Sequence, residues 1–280
     1  MWWFQQGLCL LPAALVVWTV ASFVFAYITA VVLDHVDPLV PYISDTGTMA
    51  PERCVFGIML DVSAFLGIAT VFVRYKQVEA LTGEDEACVQ KLNLVGLVLG
   101  WISSFGMCVV ANFQKTTLFS MHLVGAVLTF GVGALYIVIQ TLMSLYMHPH
   151  IHSRTMFVVR LCIGLWTLSS CISSILKAEV FVSSVIMYSI LRGIDVPHKL
   201  HWTPGEPGYT AHMFSTVSEW SLAFSFISFF LTYIRDFQKI KIRAEIELLS
   251  SHLYNSPRED FRASRHNERS ETSPLLSGTT

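Results

Sequence analysis

Six long apolar runs divide the chain, at residues 9–33, 54–73, 92–111, 118–145, 156–176 and 212–234. A membrane-spanning helix needs about 20 mostly apolar residues, because its rise per residue must cover the hydrocarbon core. Each run meets that length, so the pattern predicts six spanning helices. The longest stretches outside these runs are the connection 177–211 and the tail from residue 235, and neither is long or apolar enough for an ordinary core of its own. The fold class read from this pattern is all-α. Residues 1–234 form a six-helix transmembrane bundle, and residues 235–280 form a tail with a basic juxtamembrane start and a disordered remainder. A further apolar run of 12 residues, 180–191, is too short to cross alone. It reads as an extension of span five or as an interfacial segment.

Composition agrees with the pattern. Hydrophobic residues make up 53% of the chain and charged residues 14%, with a mean hydropathy of +0.56. A soluble domain carries roughly 25% charged residues, so the deficit is large. A formal net charge of −2 leaves no basic footprint for nucleic acid. The start MWWFQQG has no Lys or Arg before the first apolar run. That run is therefore expected to stay as a span rather than be cleaved, with Trp2 and Trp3 anchoring at the interface.

Orientation follows from the basic residues flanking the spans. The side holding both termini collects 13 Lys and Arg, with Arg74 and Arg160 counted there, against five on the other side. Without the distal tail the balance is nine against five. Both termini are expected in the cytosol. Small residues recur in span three (Gly96, Gly100, Ser103, Gly106) and in span four (Gly125, Thr129, Gly131, Gly133). This spacing lets helix backbones approach closely and predicts packing of the two spans within one protomer, with the oligomeric state left open.

Ionisable residues inside spans need a reason, since each costs roughly 2.5–3.5 kcal/mol to insert. Asp61 and Glu219 lie seven residues into spans that enter from the luminal side, roughly 10 Å below that face. His122 and His212 are slightly shallower on the same side. The four form a candidate intramembrane polar cluster with two readings: cross-helix hydrogen bonds that fix the bundle's register, or a luminal pocket for a lipid headgroup, a proton or a small solute. No CxxC and no His pair at i, i+4 on a span appears, and His148, His150 and His152 fall in a cytosolic loop. The chain is therefore read as having no enzyme activity, no metal site and no cofactor.

The tail opens with Arg235, Lys239, Lys241 and Arg243 against Asp236, which suits either a positive-inside stop signal or anionic lipid. Phe237-x-x-Ile240 has the aromatic-x-x-aliphatic form of motifs that bind autophagosome coat proteins. The chain closes on Glu271-Thr-Ser-Pro-Leu275-Leu276, an acidic dileucine pattern. Clathrin-adaptor-type coat proteins need one acid and two adjacent aliphatics on an extended cytosolic peptide, so this motif predicts endosome–lysosome sorting.

Several stretches resemble a known family. They are MWWFQQG, the loop PYISDTGT at 41–48, VANFQKTTLF at 110–119, KLHW at 199–202 and EWSLAFSFISFFLTYIRDFQ at 219–238. Together they look like the damage-regulated autophagy modulator (DRAM) family, in patches over residues 1–240. The resemblance implies a six-span protein of late endosomes and lysosomes, with the plasma membrane as a second location. It also implies promotion of autophagy, with links to apoptosis and photoreceptor maintenance. Membrane lipids and the autophagy machinery are the partners so implied, and a membrane scaffold is the mode of action. The alternative is a protein that binds or moves a lipid or proton through the luminal cluster. The family motif here comprises Pro41, Tyr42, Ser44, Asp45 and Gly47, and Ser-Asp-Thr-Gly within it favours a turn. The connection 177–194 departs from the family pattern in being longer and more apolar.

Overall fold

A computed structural model describes residues 7–82, 86–147, 154–192, 199–206, 208–238 and 240, with backbone alone for 175–192. Glu271, Leu275 and Leu276 lie outside the described residues, as do Trp2, Trp3, His148, His150 and His152. Among the described residues there is no strand. Six helices among them are long and apolar enough to cross a membrane. They are α1 (Leu10–Val32), α2 (Glu52–Leu81), α3 (Ala87–Asn112), α4 (Phe119–Tyr146), α5 (Arg154–Arg192) and α6 (Tyr209–Phe237).

The helices pack in chain order around a ring, each against the next, with α6 returning to α1. Leu8 N–H donates to the Ile240 carbonyl at 3.3 Å, so the start of α1 and the finish of α6 meet at one end. We call this the terminal end. The connections 33–51 and 113–118 and residues 199–206 gather at the other, the loop end. Val17, Phe65 and Phe105 are exposed on the outside, whereas Ser63, Thr70, Thr216 and Ser225 are fully buried. That inversion suits a bundle surrounded by lipid tails, where small polar side chains pair between helices.

The small residues of α3 and α4 do face each other. A Cβ placed on Gly106 would meet the Leu128 Cβ and the Thr129 backbone nitrogen at 2.6 Å. One placed on Gly125 would meet the Val110 nitrogen at 2.9 Å. Only glycine permits that approach. Next to it α4 widens into a π segment, Val127–Val132. Such a turn shifts the backbone hydrogen bonding, and Ser103 Oγ of α3 donates to the Thr129 carbonyl at 2.8 Å.

Helix α5 has 39 residues. At 1.5 Å per residue it reaches about 58 Å, well beyond a hydrocarbon core of about 30 Å. Within it, Arg154–Ser174 is apolar enough to be a candidate span. The run 180–191 therefore lies within the fifth helix and is not a separate element.

Gly106→Ala is expected to cost about 1–3 kcal/mol, because the new methyl meets backbone that cannot yield. Gly131→Ala meets nothing nearer than Val127 Cγ1 at 3.8 Å and should be neutral or slightly stabilising. Thermal unfolding of the two detergent-solubilised variants checks the contrast. Equal losses would contradict the α3–α4 contact.

Candidate functional site

The loop end is organised by the connection from α1 to α2. Asp34 and Val40 adopt left-handed φ values of 56° and 45°. For β-branched Val40 this conformation is costly and persists only where the surroundings hold it. Three anchors do so. Tyr27 OH donates to the Pro38 carbonyl at 2.7 Å, and Trp220 Nε1–H donates to the Pro41 carbonyl at 2.8 Å. The Glu219 carboxylate accepts the Ile43 N–H at 3.2 Å and also the Ser44 N–H. Thus α6 grips the loop through its backbone.

The next residues, Asp45, Thr46 and Gly47, form a buried 3₁₀ turn, with Thr46 Oγ1 donating to the Ile43 carbonyl at 2.7 Å. A Cβ on Gly47 would lie 2.1 Å from the Phe56 ring, so glycine is required by close packing on α2. Asp45 is 2% exposed, and its carboxylate meets Lys115 Nζ at 2.5 Å. Lys115, from the α3–α4 connection, also sits 4.9 Å from the centre of the Tyr42 ring. Tyr42 hydrogen-bonds with Ser215, and burial pushes its phenol up, so it stays protonated.

The connection into α6 closes over this loop. His212 stacks on Trp202 at 4.6 Å and meets Tyr42 edge-on at 5.1 Å. Trp202 N–H donates to Asp37 Oδ2 at 2.5 Å. Lys199 pairs with Glu206, and hydrogen bonds from Lys199 and Thr203 hold the Glu206 carboxyl below its ordinary range. His35 pairs with fully buried Glu52 at the start of α2.

Below the loop lies a cavity of about 90 Å³ between the helices. One water needs roughly 10–15 Å³, so the space is substantial. Its walls are apolar, with Leu15, Phe56, Leu60 and Phe226 among them, and its polar end carries Ser44 and Glu219.

Of the four residues in the candidate cluster, three share one neighbourhood. Glu219, His122 and His212 all lie within electrostatic reach of Lys115. His122 Nδ1–H donates to the Phe113 carbonyl at 2.7 Å, which caps the end of α3. Asp61 stands apart: its two oxygens accept from Asn112 Nδ2 of α3 at 3.0 and 3.1 Å. The residues Pro41, Tyr42, Ser44, Asp45 and Gly47 belong to the same assembly as the first three. Sequence reasoning missed Lys115 and Trp202 as its partners, although both lie in the stretches VANFQKTTLF and KLHW.

Two expectations at the terminal end need correction. Arg74 and Arg160, counted as loop charges, are fully buried inside α2 and α5. Phe237 is also fully buried and stacks on Tyr233 at 5.7 Å. Its ring is thus occupied by the bundle and cannot serve Phe237-x-x-Ile240 as a docking side chain.

This fold, with a gripped first loop and six spans, defines a family of multi-pass membrane proteins. Residues 7–240 match the Frag1/DRAM/Sfk1/Cwh43P N-terminal domain, and the chain belongs to that family. Among its relatives is human DNA damage-regulated autophagy modulator protein 2, 54% identical over 91% of this chain and 94% of the relative. Human DNA damage-regulated autophagy modulator protein 1 is 38% identical over 88% of this chain and 97% of its own. A frog protein (Xenopus tropicalis), Modulator of macroautophagy TMEM150B, is 31% identical over 62% of this chain and 72% of its own. No solved structure matches. The resemblance read from the motifs is thereby established.

Removing one partner of a buried pair strands the other charge. Lys115→Met is expected to cost about 3–5 kcal/mol by leaving Asp45 uncompensated. Adding Asp45→Asn should recover a large part of that loss. Thermal unfolding of the two single variants and the double variant checks this, and strictly additive losses would contradict the pairing.

Proposed function

We propose that this chain modulates autophagy as a multi-pass protein of the lysosomal membrane, acting as a non-catalytic scaffold with both termini in the cytosol. The observation that carries the reading is 54% identity, across 91% of the chain, to a protein named an autophagy modulator. Three further features support it. Basic residues concentrate on the side of the termini. The tail ends in the acidic dileucine pattern Glu271, Leu275, Leu276, which suits adaptor-type coat proteins. Three ionisable groups of the loop end are engaged in structural contacts: Asp45 with Lys115, Glu219 with two backbone amides of the first loop and His122 with the carbonyl that ends α3. Groups so engaged build a fixed luminal surface and do not line a through-path.

One observation favours the second reading, a protein that binds lipid. Glu219 and Ser44 end a mostly apolar cavity, an arrangement suited to an amphiphile with a hydrogen-bond-donating head.

Knockout cells rescued with the Leu275→Ala, Leu276→Ala double variant test the location and its consequence together. The variant is expected to move from lysosomes to the cell surface and to lose rescue of autophagic flux at equal abundance. Unchanged lysosomal residence would contradict the sorting role. Full rescue from the cell surface would contradict action at the lysosome.

A further inference from the structure

The terminal end holds a second polar cluster, built around two arginines. Arg74 of α2 and Arg160 of α5 are each 0% exposed. They share one carboxylate, Asp236 of α6, at 3.4 Å and 2.5 Å. Both guanidiniums lie over the Tyr233 ring, 5.4 and 5.3 Å from its centre, and Tyr233 OH is 2.8 Å from Tyr136 OH.

The two arginines are not equally satisfied. Arg160 donates from Nε to Thr232 Oγ1 at 3.1 Å, from Nη1 to Ser144 Oγ at 2.9 Å and from Nη2 to Asp236. Arg74 donates from Nε to Gln140 Oε1 at 3.2 Å and from Nη1 to Gln77 Oε1 at 2.8 Å. Its Nη2 is buried and has no hydrogen-bond partner among the described residues. The guanidinium cannot shed its proton to escape this, since it stays charged at any relevant pH.

Charge points the same way. Among the described residues, two cations facing Asp236 leave one positive charge in excess, and the groups acting electrostatically on Arg74 are Arg160, that carboxylate and two tyrosines. Gln77, Gln140, Ser144 and Thr232 contribute dipoles but no charge. A buried charge calls for a counter-charge, and a guanidinium nitrogen calls for an acceptor. One anionic oxygen group would supply both.

Position narrows the kind of anion. Asp236 is one residue from the end of α6, and Arg160 is six residues past the start of α5. Six residues correspond to about 9 Å along a helix, so the cluster lies near the bundle's end and not at its middle. Phospholipid phosphates occupy that interfacial layer. The Asp236 side chain keeps 10% exposure, so the cluster opens at the carboxylate that both arginines share, and an incoming anion displaces it from them. The planar fork of Arg74 suits the paired oxygens of a phosphate.

We propose that Arg74 and Arg160 form a binding site for a phosphate group, carried by an anionic lipid headgroup or free in solution. Arg74 Nη2 is the donor that the phosphate completes, and Asp236 is the resident competitor that holds the site together when it is empty. This site is separate from the loop end and does not depend on the autophagy reading.

The test uses the purified full chain and follows its unfolding temperature in two arms. One titrates inorganic phosphate against chloride at constant ionic strength. The other compares nanodiscs of phosphatidylcholine alone with nanodiscs containing phosphatidic acid. A ligand that binds only the folded state raises the unfolding temperature with concentration. Stabilisation in the phosphatidic acid arm alone assigns a lipid, in the phosphate arm alone a soluble anion, and in both the shared group. Arg74→Gln should weaken the response about tenfold or more, as expected for loss of a charge-assisted contact. Asp236→Asn removes the competitor and should strengthen it, whereas Lys76→Gln, on the exposed face of α2, should leave it unchanged. No stabilisation of the wild-type chain in either arm overturns the proposal, whether or not the variants fold. An undiminished response in Arg74→Gln also overturns it.

Discussion

The hydrocarbon interior offers no water, so each polar group carried into it must find its partner within the protein. The rest of this structure depends on that constraint. At the loop end it makes the backbone of residues 43 and 44 turn to a carboxylate on α6, and it makes Asp45 draw in Lys115 from the α3–α4 connection. At the terminal end it gathers Arg74, Arg160 and Asp236 from three helices around the Tyr233 ring. Between the two ends, small residues and serine or threonine hydroxyls bring the helices close enough to close a ring. The first loop is thus a packed part of the bundle and not a free connection.

The six spans were legible in the sequence because lipid demands one feature, a run of about 20 apolar residues, and a run that long stands out. The α3–α4 contact was legible for a related reason: glycines such as Gly106 and Gly125 have no side-chain chemistry of their own, so their recurrence points to close approach. Glu219 and His212 stood out as ionisable groups in apolar runs, and depth alone placed them on one level. Depth says nothing about position around the ring, which is why Asp61 was grouped with them although it faces α3 and pairs with Asn112.

What stayed hidden involves residues whose sequence neighbours conceal their surroundings. Lys115 sits in a polar connection and reads as an exposed charge until the fold brings Asp45 beside it. Arg74 and Arg160 lie where apolar runs give way to polar loops, so a count of flanking charges took them as loop residues. Helix geometry instead turns both inward, to a carboxylate 76 residues beyond Arg160 in the chain. The extension of α5 through residues 180–191 was also ambiguous, because 12 apolar residues suit an interfacial segment as well as a helix that outruns its span.

The central claim is that the ionisable groups of the loop end hold the first loop in place and do not themselves carry the activity. Glu219 tests it most directly, since it both grips the Ile43 amide and faces the cavity. Glutamine keeps an acceptor for that amide and removes the ionisable carboxyl; leucine removes both. The measurement is autophagic flux in knockout cells rescued with Glu219→Gln or Glu219→Leu, with abundance and lysosomal residence followed in the same cells. The account predicts normal flux with glutamine and loss of flux together with abundance with leucine. Lost flux with glutamine, at unchanged abundance and location, would contradict it and make the carboxylate itself the working group.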